Sequence, residues 1–150
     1  LFFIIVGAFI FSRFIVLARV PNELVEFVTE TGMSPAAIVF AVILLYFLLG
    51  TFLEEVSTIL ITVPVIMPLM LSIGYDGVWF GIFVTVMATI GLISPPVGLT
   101  VFVIQAQNPD IPVTRIYLGT LPFLAADFVL LGLLLGFPAL ALWLPAALGM

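Results

Sequence analysis

Apolar positions run along this chain in long unbroken stretches rather than at the spacing of a surface helix or a half-buried strand. A membrane span needs about 20 apolar residues, because roughly 30 Å of hydrocarbon is covered at about 1.5 Å per residue. Leu1–Leu17 reads as a truncated span, interrupted by Arg13 and followed by Arg19 and Pro21, which stop it. It opens without Met or a charged leader, so it is expected to be part of a longer chain rather than a complete signal peptide. Pro21–Gly32 changes character: Leu24, Val25, Phe27 and Val28 are interleaved with Asn22, Glu23, Glu26 and Glu30, between a leading Pro and a closing Gly. That pattern predicts a short helix lying in the membrane interface.

From Ser34 the chain is apolar to Gly50, polar through Thr51-Phe52-Leu53-Glu54-Glu55-Val56-Ser57-Thr58, and apolar again to Leu71. Two readings stay open: two full spans with an external turn at Glu54–Glu55, or a re-entrant hairpin with its tip near mid-membrane. Arms of about 15 to 17 residues are short for spanning and favour the hairpin. After the turn Gly74-Tyr75-Asp76-Gly77, the stretch Val78–Gln107 is longer than one span and is broken at Gly91-Leu92-Ile93-Ser94-Pro95-Pro96-Val97-Gly98. Two adjacent prolines lack N–H donors, so the helix unwinds there. Unwound backbone at membrane depth is tolerated only where protein or a water-filled cavity covers it, which makes the break a candidate site. Pro109–Thr120 is a polar connector, and Leu121–Leu144 is expected to be the last span.

Composition agrees with an all-helical polytopic membrane protein. The 150 residues are 65% hydrophobic and only 7% charged, against the roughly 25% charged of soluble domains. Without His or Cys the chain offers no imidazole or thiolate for a zinc site or a nucleophilic dyad. Three Lys+Arg against eight Asp+Glu leave no basic stripe for nucleic acid. The same scarcity of cations leaves orientation unreadable from charge.

Acids at membrane depth are costly unless they meet an ion or a hydrogen bond, so Glu54 and Glu55 are the foremost polar anomaly. Ser57 and Thr58 are expected to cap the second arm. A hairpin tip brings a helix C-terminus, which favours cations, beside a helix N-terminus, which favours anions. Sodium takes hard oxygen ligands, and both breaks supply them. The candidate sodium-binding set is Gly50, Glu54, Ser57, Thr58, Gly91 and Ser94, with Thr58, Ser94, Pro95, Pro96 and Gly98 toward a substrate. Gly81, Thr85 and Thr89, the pair Thr58/Thr62, and Gly132/Gly136 are expected to be helix-packing faces. Asp127, six residues past Leu121, is expected near the interface in a structural role, and Trp79 and Trp143 as interface anchors.

Several strings together resemble the large membrane subunit of the TRAP (tripartite ATP-independent periplasmic) transporters: Gly50-Thr-Phe-Leu-Glu54, Pro64/Pro68, Gly74-Tyr-Asp-Gly-Val-Trp-Phe-Gly81, Gly91-Leu-Ile-Ser-Pro-Pro-Val-Gly98, Leu121-Pro-Phe and Phe137-Pro-Ala-Leu-Ala-Leu-Trp-Leu-Pro145. The resemblance runs in order from about Ile10 to Pro145 and implies the carboxy-terminal half of that subunit, the second of two inverted repeats in an ion-transporter-type fold. It implies a scaffold helix at 1–17, an interfacial arm at 21–32, a re-entrant hairpin at 36–71, a broken transmembrane helix at 78–107 and a last helix at 121–144. It further implies a sodium-coupled elevator, with sodium as coupling ion and no other cofactor, in a bacterial or archaeal cytoplasmic (inner) membrane. The implied partners are a small membrane subunit, a periplasmic substrate-binding protein and an organic acid, often a dicarboxylate or sialic acid. This chain departs from the family's usual Asp, small or polar uncharged residue, Asn, Thr and Asn at Glu54, Glu55, Met87, Ser94 and Thr100, respectively.

Three other readings compete. The first is a sodium-coupled anion transporter of the wider ion-transporter superfamily working without a binding protein. The second, an intramembrane enzyme using Glu54 and Glu55, is disfavoured because adjacent helical residues do not face each other. The third is a purely structural subunit, for which neither break would matter to flux.

Overall fold

The computed structural model describes residues 2–149, so Leu1 at the head of the expected first span lies outside the described residues. The described chain is all-helical: α1 Phe2–Leu17, α2 Val20–Glu30, α3 Pro35–Phe52, α4 Glu55–Ser72, α5 Gly77–Ile93, α6 Leu99–Gln107, α7 Val113–Gly136 and α8 Ala139–Ala147. Three of these, α3, α4 and α7, are long and apolar enough to cross a membrane, and the bent pair α1–α2 makes a fourth candidate. The chain is a polytopic membrane protein.

Local chemistry explains the punctuation. Arg19, with φ +59°, turns α1 into α2 at an angle of 52°, and Pro21 follows in the first turn where its missing N–H costs nothing. Ser34 accepts from the Ala37 amide at 3.3 Å and Pro35 opens α3. Asp76 caps α5, its Oδ1 accepting from the Val78 amide at 2.7 Å.

The packing centres on α5, which buries Trp79, Phe80, Phe83, Val84, Met87, Ala88, Ile90 and Gly91. Trp79 stacks on Phe83 with ring centroids 5.2 Å apart, and Tyr46 of α3 meets Phe80 and Phe83 edge-on. On the other side of α5 lies α7, antiparallel to it: the Trp79 indole donates to the Leu134 carbonyl at 3.0 Å near one end, and Tyr117 meets the chain after α5 at the other.

Several expectations change. Trp79 is 0% exposed and hydrogen-bonded in the core, so it is no interface anchor; an indole N–H that reaches a carbonyl can be buried whole. Trp143 remains 70% exposed. The last long helix starts at Val113, absorbing most of the expected polar connector, and ends at Gly136, where the chain breaks at Phe137-Pro138 before α8. Asp127 therefore lies fourteen residues after the start of α7 and nine before its end, at mid-helix rather than close to the helix start. It is half-buried on the seam that also carries Thr120, Leu124, Leu131 and Leu134.

A Cβ added at Gly81, Gly132 or Gly136 would meet nothing within 4 Å, so among the described residues those glycines receive no close helix. The close approach occurs instead between Gly50 and Gly91. A Cβ on Gly91 would sit 2.5 Å from both Cα and C of Gly50, and one on Gly50 would sit 3.1 Å from Gly91 Cα. Gly91→Ala must push α3 and α5 apart at backbone level and should cost about 1 to 3 kcal/mol, whereas Gly136→Ala should be neutral or slightly stabilising. Thermal unfolding of the complete permease in detergent compares the two, and equal midpoints would refute the backbone contact.

Candidate functional site

The hairpin α3–α4 turns at Leu53 and Glu54, both extended, with ψ of 154° and 157°. Its arms are tied by a buried polar link. Thr62 Oγ1 lies 2.7 Å from Tyr46 Oη and 2.7 Å from the Thr58 carbonyl. One hydroxyl proton cannot serve both, so the phenol donates to Thr62 and Thr62 donates to Thr58. The Thr58/Thr62 pair is thus a hydrogen-bonded strut between the arms as well as a packing face.

At the tip, the capping roles are reversed from expectation. Glu54 is the N-cap of α4, its carboxylate accepting from the Val56 amide at 2.8 Å and the Ser57 amide at 3.2 Å. Ser57 Oγ donates back to Glu54 at 3.4 Å, while Thr58 Oγ1 donates to the Glu54 carbonyl at 2.9 Å. A glutamate can fill this role because its longer arm still reaches the two orphan amides of the first turn. Glu55 is the first helical residue and half-buried.

The second break begins where α5 ends at Ile93. Ser94 is extended and fully buried, and its Oγ donates to the Ile90 carbonyl at 2.6 Å. The Pro95–Pro96 bond is cis. Gly98 takes φ +52°, and a Cβ there would lie 2.9 Å from the Ser94 carbonyl, so only glycine closes this loop without strain. Pro95 and Pro96 are exposed, and Gly98 is buried.

The glycine contact brings the two breaks together. Gly50 and Gly91 each sit two residues before the last residue of their helices, so the C-termini of α3 and α5 converge. Three hydroxyl groups are fully or almost fully buried at these breaks: Thr51 at 1% exposure, Thr58 at 0% and Ser94 at 0%. Each spends its proton on a carbonyl four residues back, Thr51 on Phe47 at 2.7 Å. Their oxygens keep lone pairs for another partner. Thr51 escaped the sequence reading although it follows Gly50 directly. Tyr117, which donates to the Val97 carbonyl at 2.7 Å, escaped it because nothing local links positions 20 residues apart.

Among the described residues, no three His, Cys, Asp or Glu side chains gather as a metal cluster. Chemically, the arrangement offers carbonyl and hydroxyl oxygens and one capped carboxylate, a set for a hard cation.

The profile described as tripartite ATP-independent periplasmic transporter, DctM component, matches residues 1–140. The chain belongs to this family. Over its whole length it is 35% identical to the C4-dicarboxylate TRAP transporter large permease protein DctM of Pseudomonas aeruginosa, covering 35% of that protein. It is 30% identical over 94% of its length to the sialic acid TRAP transporter large permease protein SiaM of Vibrio cholerae, covering 33% of that protein. It is 34% identical over 95% of its length to the ectoine/5-hydroxyectoine TRAP transporter large permease protein UehC of Ruegeria pomeroyi, covering 33% of that protein. The chain thus spans about a third of the length of these curated relatives, all transporter permeases rather than enzymes.

The cap yields a prediction within this DctM-family chain. Glu54→Ala should destabilise the start of α4 by about 1 kcal/mol and speed hydrogen exchange at the Val56 and Ser57 amides, while Glu54→Asp should retain protection. Protection factors unchanged in Glu54→Ala would remove the carboxylate from the cap.

Proposed function

We propose that this chain forms the ion-coupling part of a TRAP large permease that imports an organic acid with sodium. The observation that carries the reading is the meeting of two helix C-termini at Gly50 and Gly91. Each terminus carries roughly half a negative charge in partial charges on its unpaired carbonyls. Bringing two such ends into contact away from water is unfavourable unless a cation lies between or beside them. Thr51, Thr58 and Ser94 supply buried hydroxyl oxygens beside those ends, and sodium suits this ligand set.

In this reading Gly50, Gly91 and Ser94 contribute to the sodium site with Glu54, Ser57 and Thr58 at the tip, and α3–α4 is a re-entrant hairpin. Substrate lies toward Thr58, Ser94, Pro95, Pro96 and Gly98. The two helix N-termini nearby differ: α4 is already filled by the Glu54 carboxylate, whereas α6 begins at Gly98 with no side-chain cap. A substrate carboxylate is therefore better received at Gly98, where free amides and the positive end of α6 coincide.

The relatives' printed substrates are C4-dicarboxylates, sialic acid and ectoines, so the family framework serves several solutes. The proposed whole is an elevator in the bacterial inner membrane, working with a small membrane subunit and a periplasmic binding protein.

Ser94→Ala in the complete transporter should raise the half-saturating sodium concentration roughly tenfold, the effect of losing a ligand worth about 1.4 kcal/mol, and Ser94→Thr should be tolerated. Sodium-dependent uptake in proteoliposomes measures both. Wild-type sodium dependence in Ser94→Ala would remove the hydroxyl from the site. Asp127 lies ten residues, about 15 Å, along α7 from Tyr117, so Asp127→Asn should leave the same sodium curve unmoved; a marked shift would bring that acid into the site.

A further inference from the structure

We infer that Tyr117 is a positioning residue for the ion site, holding the break between α5 and α6 and fixing the direction in which its Pro96 and Val97 carbonyls point. This rests on the reading of the break as part of a sodium site, and it assigns a role to a residue on a different helix.

The inference follows from accounting for the backbone. A continuous helix would pair the Gly91 and Leu92 carbonyls with the amides four residues on, but those residues are Pro95 and Pro96, which have none. Gly91 is satisfied by the Ser94 amide at 3.3 Å, a tightened last turn. On the far side of the break, the amide of Val101 bonds the Gly98 carbonyl at 2.8 Å rather than the Val97 carbonyl that a continuous α-helix would use. Val97 and Pro96 are thereby left with unclaimed carbonyls, and Tyr117 takes both: its hydroxyl lies 2.7 Å from Val97 O and 3.3 Å from Pro96 O. One phenolic proton serves the two as a shared bond, mainly to Val97.

The consequence is directional. The Pro96 and Val97 carbonyls are held toward α7 by the phenol, which fixes their direction while each keeps a second lone pair. The end of α5 before the prolines is where Gly91 meets Gly50. The Tyr117 ring also lines an open pocket of about 270 Å³ with Pro95, Thr114, Thr120 and Leu124. Tyr117 lies in the second turn of α7, a helix whose other end is held to α5 by the Trp79–Leu134 bond, so the strap is anchored to a rigid element.

Tyr117→Phe keeps the ring and removes the bond. In the complete transporter reconstituted with its binding protein, this variant should raise the half-saturating sodium concentration about threefold to tenfold while maximal uptake at saturating sodium stays within about twofold. Hydrogen exchange at the Val101 amide, which bonds the Gly98 carbonyl, should accelerate as the loop loosens. A merely structural tyrosine would lower the unfolding temperature and leave the sodium curve in place. An unmoved sodium curve in Tyr117→Phe overturns the inference. If Ser94→Ala shifts in the same series, only the role of Tyr117 falls; if Ser94→Ala is also unmoved, the ion-site reading falls with it.

Discussion

The structure depends on one backbone contact, Gly50 against Gly91. With no side chain on either residue, α3 and α5 approach until main-chain atoms touch, and a single added methyl at Gly91 would overlap Gly50 at 2.5 Å. Two consequences follow from where the contact lies. It is near the C-terminal end of both helices, so it sets two chain breaks side by side. It also brings two negative helix ends together.

Around that contact the polar groups are satisfied with economy. The buried hydroxyls of Thr51, Thr58 and Ser94 bond backward to carbonyls of their own segments, and no buried side-chain oxygen or nitrogen among the described residues lacks a partner. Glu54 closes the first turn of α4, and Tyr46 links the hairpin arms through Thr62. Such a framework resists deformation, because each polar group has a partner it would lose, and in an apolar medium the loss is not repaid by water.

The outer surface has a different character. α1 exposes Phe3, Phe9, Ile10, Phe14 and Leu17, and the face of α5 bearing Gly81, Thr85 and Thr89 is open. A chain that spans about a third of its relatives' length has large apolar surfaces available to lipid or to other protein.

Long apolar runs and Pro and Gly punctuation determined by themselves that this is a helical membrane protein, that its chain breaks near Glu54 and at Pro95-Pro96, and which oxygens crowd at those two breaks. Those features are local, because a span is a matter of length and a break is a matter of missing N–H donors. The tertiary structure alone decided which glycines touch, since Gly50, Gly91, Gly132 and Gly136 are indistinguishable as letters and only the crossing of α3 over α5 separates them. It likewise buried Trp79, placed Asp127 at mid-helix, gave the cap to Glu54 and brought Tyr117 to Val97. Each of these outcomes depends on distances between segments remote in the chain or on side-chain reach, and neither is written in hydropathy.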